Sequence, residues 1–359
     1  MEKLTMLDYV KETPGVLRTN IEQYTALVEP LMKEVQQKEI KRILLVASGS
    51  SHNACYCARS FVEKVSGLEV RIITPYTFTY YENDIKENDL VLVVTQSGLS
   101  TNAIEALKII KKKECKAICL TGNKNSDVKD VADVVIEYGV GEELVGYVTK
   151  GVSSLALFLD LFAIAYSGKT EYLDELKKAA DLNEEMIDQA TSFIQQHYKN
   201  FSSMSWVYSC GAGANYGTAL ESALKMGETI HIPSCCYEIE EYIHGPNLQL
   251  TPQYNVIFFD GNDSASRRVE QVYKATRKVS NRAYLISNNP KLSSDDHVLS
   301  LSDTVSSELC PLVYLPFVQL LSFIVSNDLH SIYQHPLLKE FKAIAAAKTE
   351  NFVNYDGDD

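Results

Sequence analysis

The sequence predicts an α/β protein made of two tandem, doubly wound parallel-sheet units behind an N-terminal helical segment. Two observations carry this. Short apolar runs alternate with longer helical patterns, as in a parallel sheet with crossover helices. The alternation also repeats. Strand-like runs begin near Arg42, Asp89 and Lys116, and again near Trp206, Tyr254 and Asn281, at intervals of 47 and 27 residues in the first set and 48 and 27 in the second. Each third run is followed by a polar Asn-containing loop (122–126 and 288–294) and another short strand. Each set then ends in a long apolar helix, 153–165 or 312–325. Matched element types at matched spacing mark an internal duplication.

In chain order, residues 1–40 read as helices, with an amphipathic stripe over 28–35 and with Pro14 and Pro30 as helix boundaries or first turns. Strands are expected at 42–47, 70–74, 90–94, 117–121 and 134–138. The polar stretch 171–197 reads as an exposed connecting helix. The expected organisation is therefore N-terminal helices (1–40), first unit (41–170), connecting helix (171–200), second unit (201–335) and C-terminal tail (336–359).

Composition narrows the function. The chain has 359 residues, a net charge of −13, 45% apolar and 23% charged residues. That charge argues against nucleic acid, whose phosphates need clustered Lys and Arg. The short run Lys111, Lys112, Lys113 instead closes a helix, where it complements the dipole. No uninterrupted apolar run reaches the roughly 18 residues of a membrane span; the longest candidate, 313–325, is broken by Pro316, Gln319 and Ser322. The first 15 residues lack a signal-peptide core, so a cytoplasmic protein without a membrane partner is expected. Among eight cysteines, neither Cys55 with Cys57 nor Cys235 with Cys236 has zinc-ligand spacing. Cys119 and Cys210 fall within apolar strands, where a thiol packs as a small hydrophobe. No metal is expected.

Three loops after strands are rich in small hydroxyl residues: 47–51, 95–101 and 149–154. Hydroxyls and free amides at helix N-termini make an anion cradle. A single such loop is more simply a helix cap; two on neighbouring strands favour the cradle. A P-loop signature is absent. Gly211 and Gly213 follow a strand, but Tyr216 stands at the third glycine position of a dinucleotide fingerprint and Gly217 comes one residue late. No nicotinamide cofactor is expected.

The helix that follows places Glu221, Lys225 and Glu228 on one face. At a surface the pair Glu221–Lys225 is worth only a few tenths of a kcal/mol. Here the neighbours Ala219, Leu220, Ala223, Leu224, Met226 and Ile230 are apolar or small, so the helix is expected to be mostly buried, where charges need partners or a chemical task. An isolated His244 precedes Gly245 and Pro246.

These motifs resemble the SIS (sugar isomerase) family, and most closely the isomerase domain of glucosamine-6-phosphate synthases. The family's long second-unit motif is met at Gly211, Gly213, Tyr216, Ala219, Glu221, Ala223, Leu224, Lys225 and Glu228, and its Glu-x-x-His-Gly-Pro at Glu241, His244, Gly245 and Pro246. Thr95-Gln96-Ser97-Gly98 is similar to its phosphate loop, Ser48-Gly49-Ser50-Ser51 to its first hydroxyl loop, and Ala346-Ala347-Lys348-Thr349 to its C-terminal lysine motif. The resemblance implies flavodoxin-like SIS subdomains and an enzyme acting on a sugar phosphate without a cofactor. It implies that Gly49, Ser51, Thr95, Gln96, Ser97 and Ser100 hold the phosphate ester. It also implies that Glu228 moves a proton between C1 and C2, with Lys225 and Glu221 ordering substrate and intermediate. His244 would assist ring opening from a second subunit, in a homodimer or larger homo-oligomer with shared sites, and Lys348 would form an iminium at a ketose C2.

Leu99 and Val148 depart from the family pattern. Met1 is not followed by the Cys that a glutaminase domain needs, so no built-in ammonia source is expected. The leading expectation is a deglycase or deaminating isomerase that converts a 6-phosphorylated fructosamine to glucose 6-phosphate and a free amine. An aldose–ketose isomerase is the alternative, and a non-catalytic sugar-phosphate sensor a more distant one.

Overall fold

Runs of branched apolar residues become strands here because both faces of each sheet are covered, which removes the polar alternation of a half-exposed strand. The computed structural model describes residues 4–36, 38–331 and 337–353. The chain opens with helices α1 (Met6–Glu22) and α2 (Tyr24–Val35). Pro14 and Pro30 lie inside these helices rather than at their ends. Each removes one backbone donor, but the apolar stripes Val10, Leu17, Ile21 and Val28, Leu31, Val35 are buried on either side and keep the helices continuous.

The first sheet comprises β1 (Arg42–Ala47), β2 (Glu69–Ile73), β3 (Asp89–Thr95), β4 (Ile118–Thr121) and β5 (Val134–Glu137). They run parallel in the order β2-β1-β3-β4-β5, each within a residue of its expected position. Helices α3 (Gly49–Ser66), α4 (Pro75–Tyr80), α5 (Thr101–Lys112) and α6 (Lys150–Ser167) follow strands or their loops. Leu44, Val46, Val91, Val93 and Cys119 of the sheet pack with Ala103, Ala106, Leu107 and Ile110 of α5.

Next come α7 (Leu173–Gln196), α8 (Tyr198–Ser202), β6 (Val207–Gly211) and α9 (Asn215–Lys225), then β7 (Ser234–Glu238), α10 (Ile239–Ile243), β8 (Asn255–Asp260) and α11 (Ser266–Arg277). Strands β9 (Ala283–Ser287) and β10 (Val298–Ser300) precede α12 (Cys310–Asp328) and α13 (Leu338–Ile344). The second sheet is parallel in the order β10-β9-β8-β6-β7. Counted within each set, both sheets read 2-1-3-4-5, the flavodoxin-like order. The duplication seen in the spacing is thus a duplication of topology. By contacts the chain divides into Met1–Arg18, Tyr56–Ser60 and Glu171–Ile332 on one side, and Thr19–Cys55, Phe61–Thr170 and Tyr333–Asp359 on the other. The expected boundary at 335/336 lies outside the described residues.

Two further expectations are corrected. Helix α7 is not an exposed link. Leu176, Ala179, Ala180, Asn183, Met186, Ala190, Phe193 and Ile194 form a buried stripe at helical spacing, and the helix packs on α12. Nor does Pro316 interrupt the apolar run, since α12 passes through it. Pro316 deprives the Leu312 carbonyl of its helical donor, and the buried Asn183 of α7 replaces it, donating Nδ2 to Leu312 O at 2.5 Å. By length and composition α6 and the stretch Ser307–Asp328 could cross a membrane, yet 83% and 89% of those windows are buried inside the protein. They serve as core helices.

Asn183→Ala orphans the Leu312 carbonyl and should cost about 1–3 kcal/mol in urea unfolding. Adding Pro316→Ala, which restores the helical donor, should recover most of that loss.

Candidate functional site

The strand order 2-1-3-4-5 reverses direction between β1 and β3, and ligands in such sheets lie beyond the strand C-termini at this switch. Two of the hydroxyl-rich loops emerge there. Ser48 and Gly49, at the mouth of the first, are exposed, Ser50 and Ser51 are buried, and Asn102 Nδ2 donates to Ser48 Oγ at 3.1 Å, tying this loop to the start of α5. In the second loop Thr95 Oγ1 donates to Ser100 Oγ at 3.2 Å. Gly98 has φ +66°, and a Cβ there would stand 1.7 Å from Ser126 Oγ, so the tight turn admits no side chain. Ser48, Ser100 and Thr149 all sit at helix N-caps, yet none of the three makes a side-chain capping bond. The cap explanation of these hydroxyls is therefore set aside.

Lys348 reaches the second loop from the C-terminal segment. Its backbone forms an antiparallel bridge with Ser100, flanked by Thr101 N to Ala347 O at 3.1 Å and Thr349 N to Leu99 O at 2.9 Å. Its Nζ donates to Ser97 Oγ at 3.1 Å and Ser100 Oγ at 2.9 Å. Burial lowers its pKa below the ordinary lysine value, which favours the neutral, nucleophilic amine. Ser97, Ser100 and Lys348, chosen from sequence segments some 250 residues apart, thus meet.

The third loop is occupied by the protein itself. Glu143 Oε1 accepts from Thr149 N at 2.8 Å and Lys150 N at 2.7 Å, and Oε2 accepts from Gly151 N at 3.1 Å and from Gln96 Nε2. Burial raises this carboxyl above its ordinary range, opposed by those donors. Gln96 Oε1 in turn accepts from Tyr138 O–H at 3.2 Å. A carboxylate with four acceptor positions is then fully used. The amides at the start of α6 are therefore not an open cradle, and the Gln96 side chain is held by Glu143 and Tyr138. No sequence motif points to Glu143. It lies in a loop at a spacing that matches no capping motif.

In the second sheet unit α9 buries Asn215, Gly217, Thr218, Ala219, Glu221, Ser222 and Lys225. The helix then widens into a π turn, Met226–Ile230, which carries Glu228. Such turns shift the side chains that follow and recur at functional sites. Lys225 Nζ lies 3.3 Å from Glu221 Oε1 and 2.5 Å from Glu228 Oε1. The side chains of Lys225 and Glu221 are 0% exposed and that of Glu228 29%. Burial alone would lower the Lys225 pKa, but the two carboxylates outweigh it and the net shift is upward. Lys225 is thus a fixed cation, enclosed away from solvent. Only Glu228 of the three presents surface to a ligand.

His244 is exposed at the end of α10. Its Nδ1 lies 2.6 Å from Glu240 O. A carbonyl can only accept, so Nδ1 donates and the neutral ring keeps its lone pair on Nε2. Arg268 clamps the Glu240 side chain at 2.5 and 3.1 Å, and Glu238 caps α10 through the amides of Glu240 and Glu241.

The fold is a tandem α/β architecture, and residues 38–165 match the family model described as SIS domain. It is 26% identical over 328 residues to the isomerizing glutamine–fructose-6-phosphate aminotransferase of Methanothermobacter thermautotrophicus, covering 90% of this chain and 54% of that one. The chain spans about half the length of the curated relatives it matches. A candidate phosphosugar isomerase of Clostridium difficile 630 superposes with a TM-score of 0.84 at 23% identity, covering 97% of this chain and 100% of that one. The glucosamine-6-phosphate deaminase of Thermotoga maritima does so with a TM-score of 0.73 at 19% identity, over 90% and 94%.

Lys225→Met leaves Glu221 buried without its cation and should cost about 3–5 kcal/mol in the unfolding free energy. Lys225→Met with Glu221→Gln removes both buried charges and should unfold at higher urea than Lys225→Met alone.

Proposed function

We propose that the protein is a phosphosugar-processing enzyme that moves a proton between C1 and C2 of its substrate. The observation that carries this is the half-exposed Glu228 backed by a buried lysine. The buried ammonium holds the Glu228 carboxylate in place through a charge-assisted hydrogen bond, and proton transfer beside a carbonyl needs one positioned base. Glu228 is that base. Lys225 and Glu221, enclosed as they are, position it rather than touch substrate. Gly49, Ser51, Thr95, Ser97 and Ser100 bind the phosphate ester through hydroxyls and helix N-terminal amides, the means open to a protein with a net charge of −13. Gln96 shapes that loop.

The substrate we favour is a 6-phosphorylated fructosamine. Lys348 captures the open-chain ketose at C2 as an iminium, releasing water, and water then returns the carbonyl. Glu228 takes a proton from C1 and delivers one to C2, converting the ketosamine to an imine at C1. Water splits that imine into glucose 6-phosphate and the free amine. His244 Nε2 takes the proton of the ring hydroxyl on opening, acting in an assembly of two or more copies. The amino-sugar phosphate in the name of the T. maritima neighbour, and the fructose 6-phosphate and amino transfer in that of the M. thermautotrophicus relative, support this choice. The name of the C. difficile neighbour supports a second reading, plain aldose–ketose isomerisation. The same Glu228 would carry both.

A panel of 6-phosphorylated fructosamines, hexose 6-phosphates and glucosamine 6-phosphate, followed by product NMR and amine release, separates the two. Release of amine and glucose 6-phosphate supports the deglycase; interconversion of hexose phosphates alone supports the isomerase. Absence of turnover across the panel contradicts both. Glu228→Gln should lower turnover by at least about 100-fold while phosphate-ester binding persists.

Borohydride with a ketose phosphate should label Lys348, at a rate that climbs with pH and levels off below pH 10.5, the ordinary lysine value. Labelling at another lysine would remove Lys348 from the scheme.

A further inference from the structure

We propose that Glu143 is a positioning residue, which fills the anion site at the N-terminus of α6 with its own carboxylate and thereby holds Gln96 and the phosphate loop in shape. The inference rests on reading residues 95–100 as that loop. A helix N-terminus attracts an anion by its free amides and dipole. Here the amides of Thr149, Lys150 and Gly151 all close on one carboxylate, whose fourth acceptor position takes the Gln96 side-chain amide. Four donors on one group leave no room for a ligand anion at that place. They do leave a link, because Gln96 is the first residue beyond β3.

The rest of Gln96 is held with equal completeness. Its Oε1 accepts from Tyr138, and its backbone carbonyl accepts from Gly122 N at 2.9 Å and Thr121 Oγ1 at 3.1 Å. The carboxylate can only accept and the tyrosine hydroxyl donates, so the carboxamide has one orientation. The backbone cooperates, since a Cβ on Gly151 would stand 1.8 Å from Gln96 Oε1. Glycine at the first turn of α6 opens the space through which the carboxamide reaches Glu143. A cap alone would require neither Gln96 nor that glycine. The arrangement joins the 139–149 segment to the phosphate loop through a single charged group.

The test uses the full chain without ligand. Glu143→Ala, Glu143→Gln and Gln96→Ala are compared with the parent by hydrogen–deuterium exchange. A charge-assisted bond lost from a loop should speed exchange there by about tenfold or more. In Glu143→Ala the expected rise covers residues 96–101 as well as 149–151. Sodium acetate at tens of millimolar, whose carboxylate fits the vacated place, should reverse it. Gln96→Ala should speed exchange at 96–101 alone, and Glu143→Gln should fall between Glu143→Ala and the parent. If Glu143→Ala affects only 149–151, the residue is a helix cap and the proposal fails. Acetate without effect on a folded Glu143→Ala protein also overturns it.

Fructose 6-phosphate affinity, measured by calorimetry on the same proteins, should fall about tenfold in Glu143→Ala. If the parent binds no phosphate ester while the exchange pattern holds, the phosphate-loop reading falls and the positioning of residues 96–101 by Glu143 stands. If the parent binds and Glu143→Ala binds equally well, the positioning inference is the one that fails.

Discussion

The placement of Glu228 depends on one buried cation. Lys225, without exposed surface, stands between the carboxylates of Glu221 and Glu228. Taking an ammonium out of water costs several kcal/mol, and only close counter-charges offset it. Two carboxylates do so here, and their combined pull leaves Lys225 more firmly protonated than a free lysine. One carboxylate is spent inside the protein to hold the cation. The other, carried outward by a π turn, is presented to solvent. Such an arrangement contributes little net stability. What it supplies is a carboxylate held in one place.

In the proposed reading, the first sheet unit has a different task, that of binding an anion with an acidic chain. The β1/β3 switch point supplies two loops whose hydroxyls are not consumed as caps, and the antiparallel bridge at Ser100 places Lys348 among them. The N-terminus of α6 is already filled by the carboxylate of Glu143, which also holds the Gln96 side chain. Duplication of the fold thus gave two sheets of one topology whose loops took up different chemistry.

Much of the fold was legible because sheets covered on both faces write themselves as unbroken apolar runs, as in β1 and β3. The buried pair on α9, Glu221 and Lys225, was legible because it sits at helical spacing among apolar neighbours. What escaped notice depended on partners distant in sequence. Pro316 read as a break because its remedy, Asn183, lies 129 residues before Leu312. Helix α7 read as a link because its polar face outnumbers the stripe that α12 covers. Glu143 was invisible because its role follows from where a loop folds back, not from spacing. The π turn at Glu228 was likewise hidden, since a one-residue change of helical register leaves no mark in composition.

The central claim, that Glu228 carries a proton between C1 and C2, is tested most directly by NMR of fructose 6-phosphate and a 6-phosphorylated fructosamine in D2O. The parent protein should introduce solvent deuterium at C1 or C2 of at least one of them, and Glu228→Gln should not. Exchange at the parent rate in Glu228→Gln would contradict the account, as would a folded parent protein that leaves both substrates unlabelled.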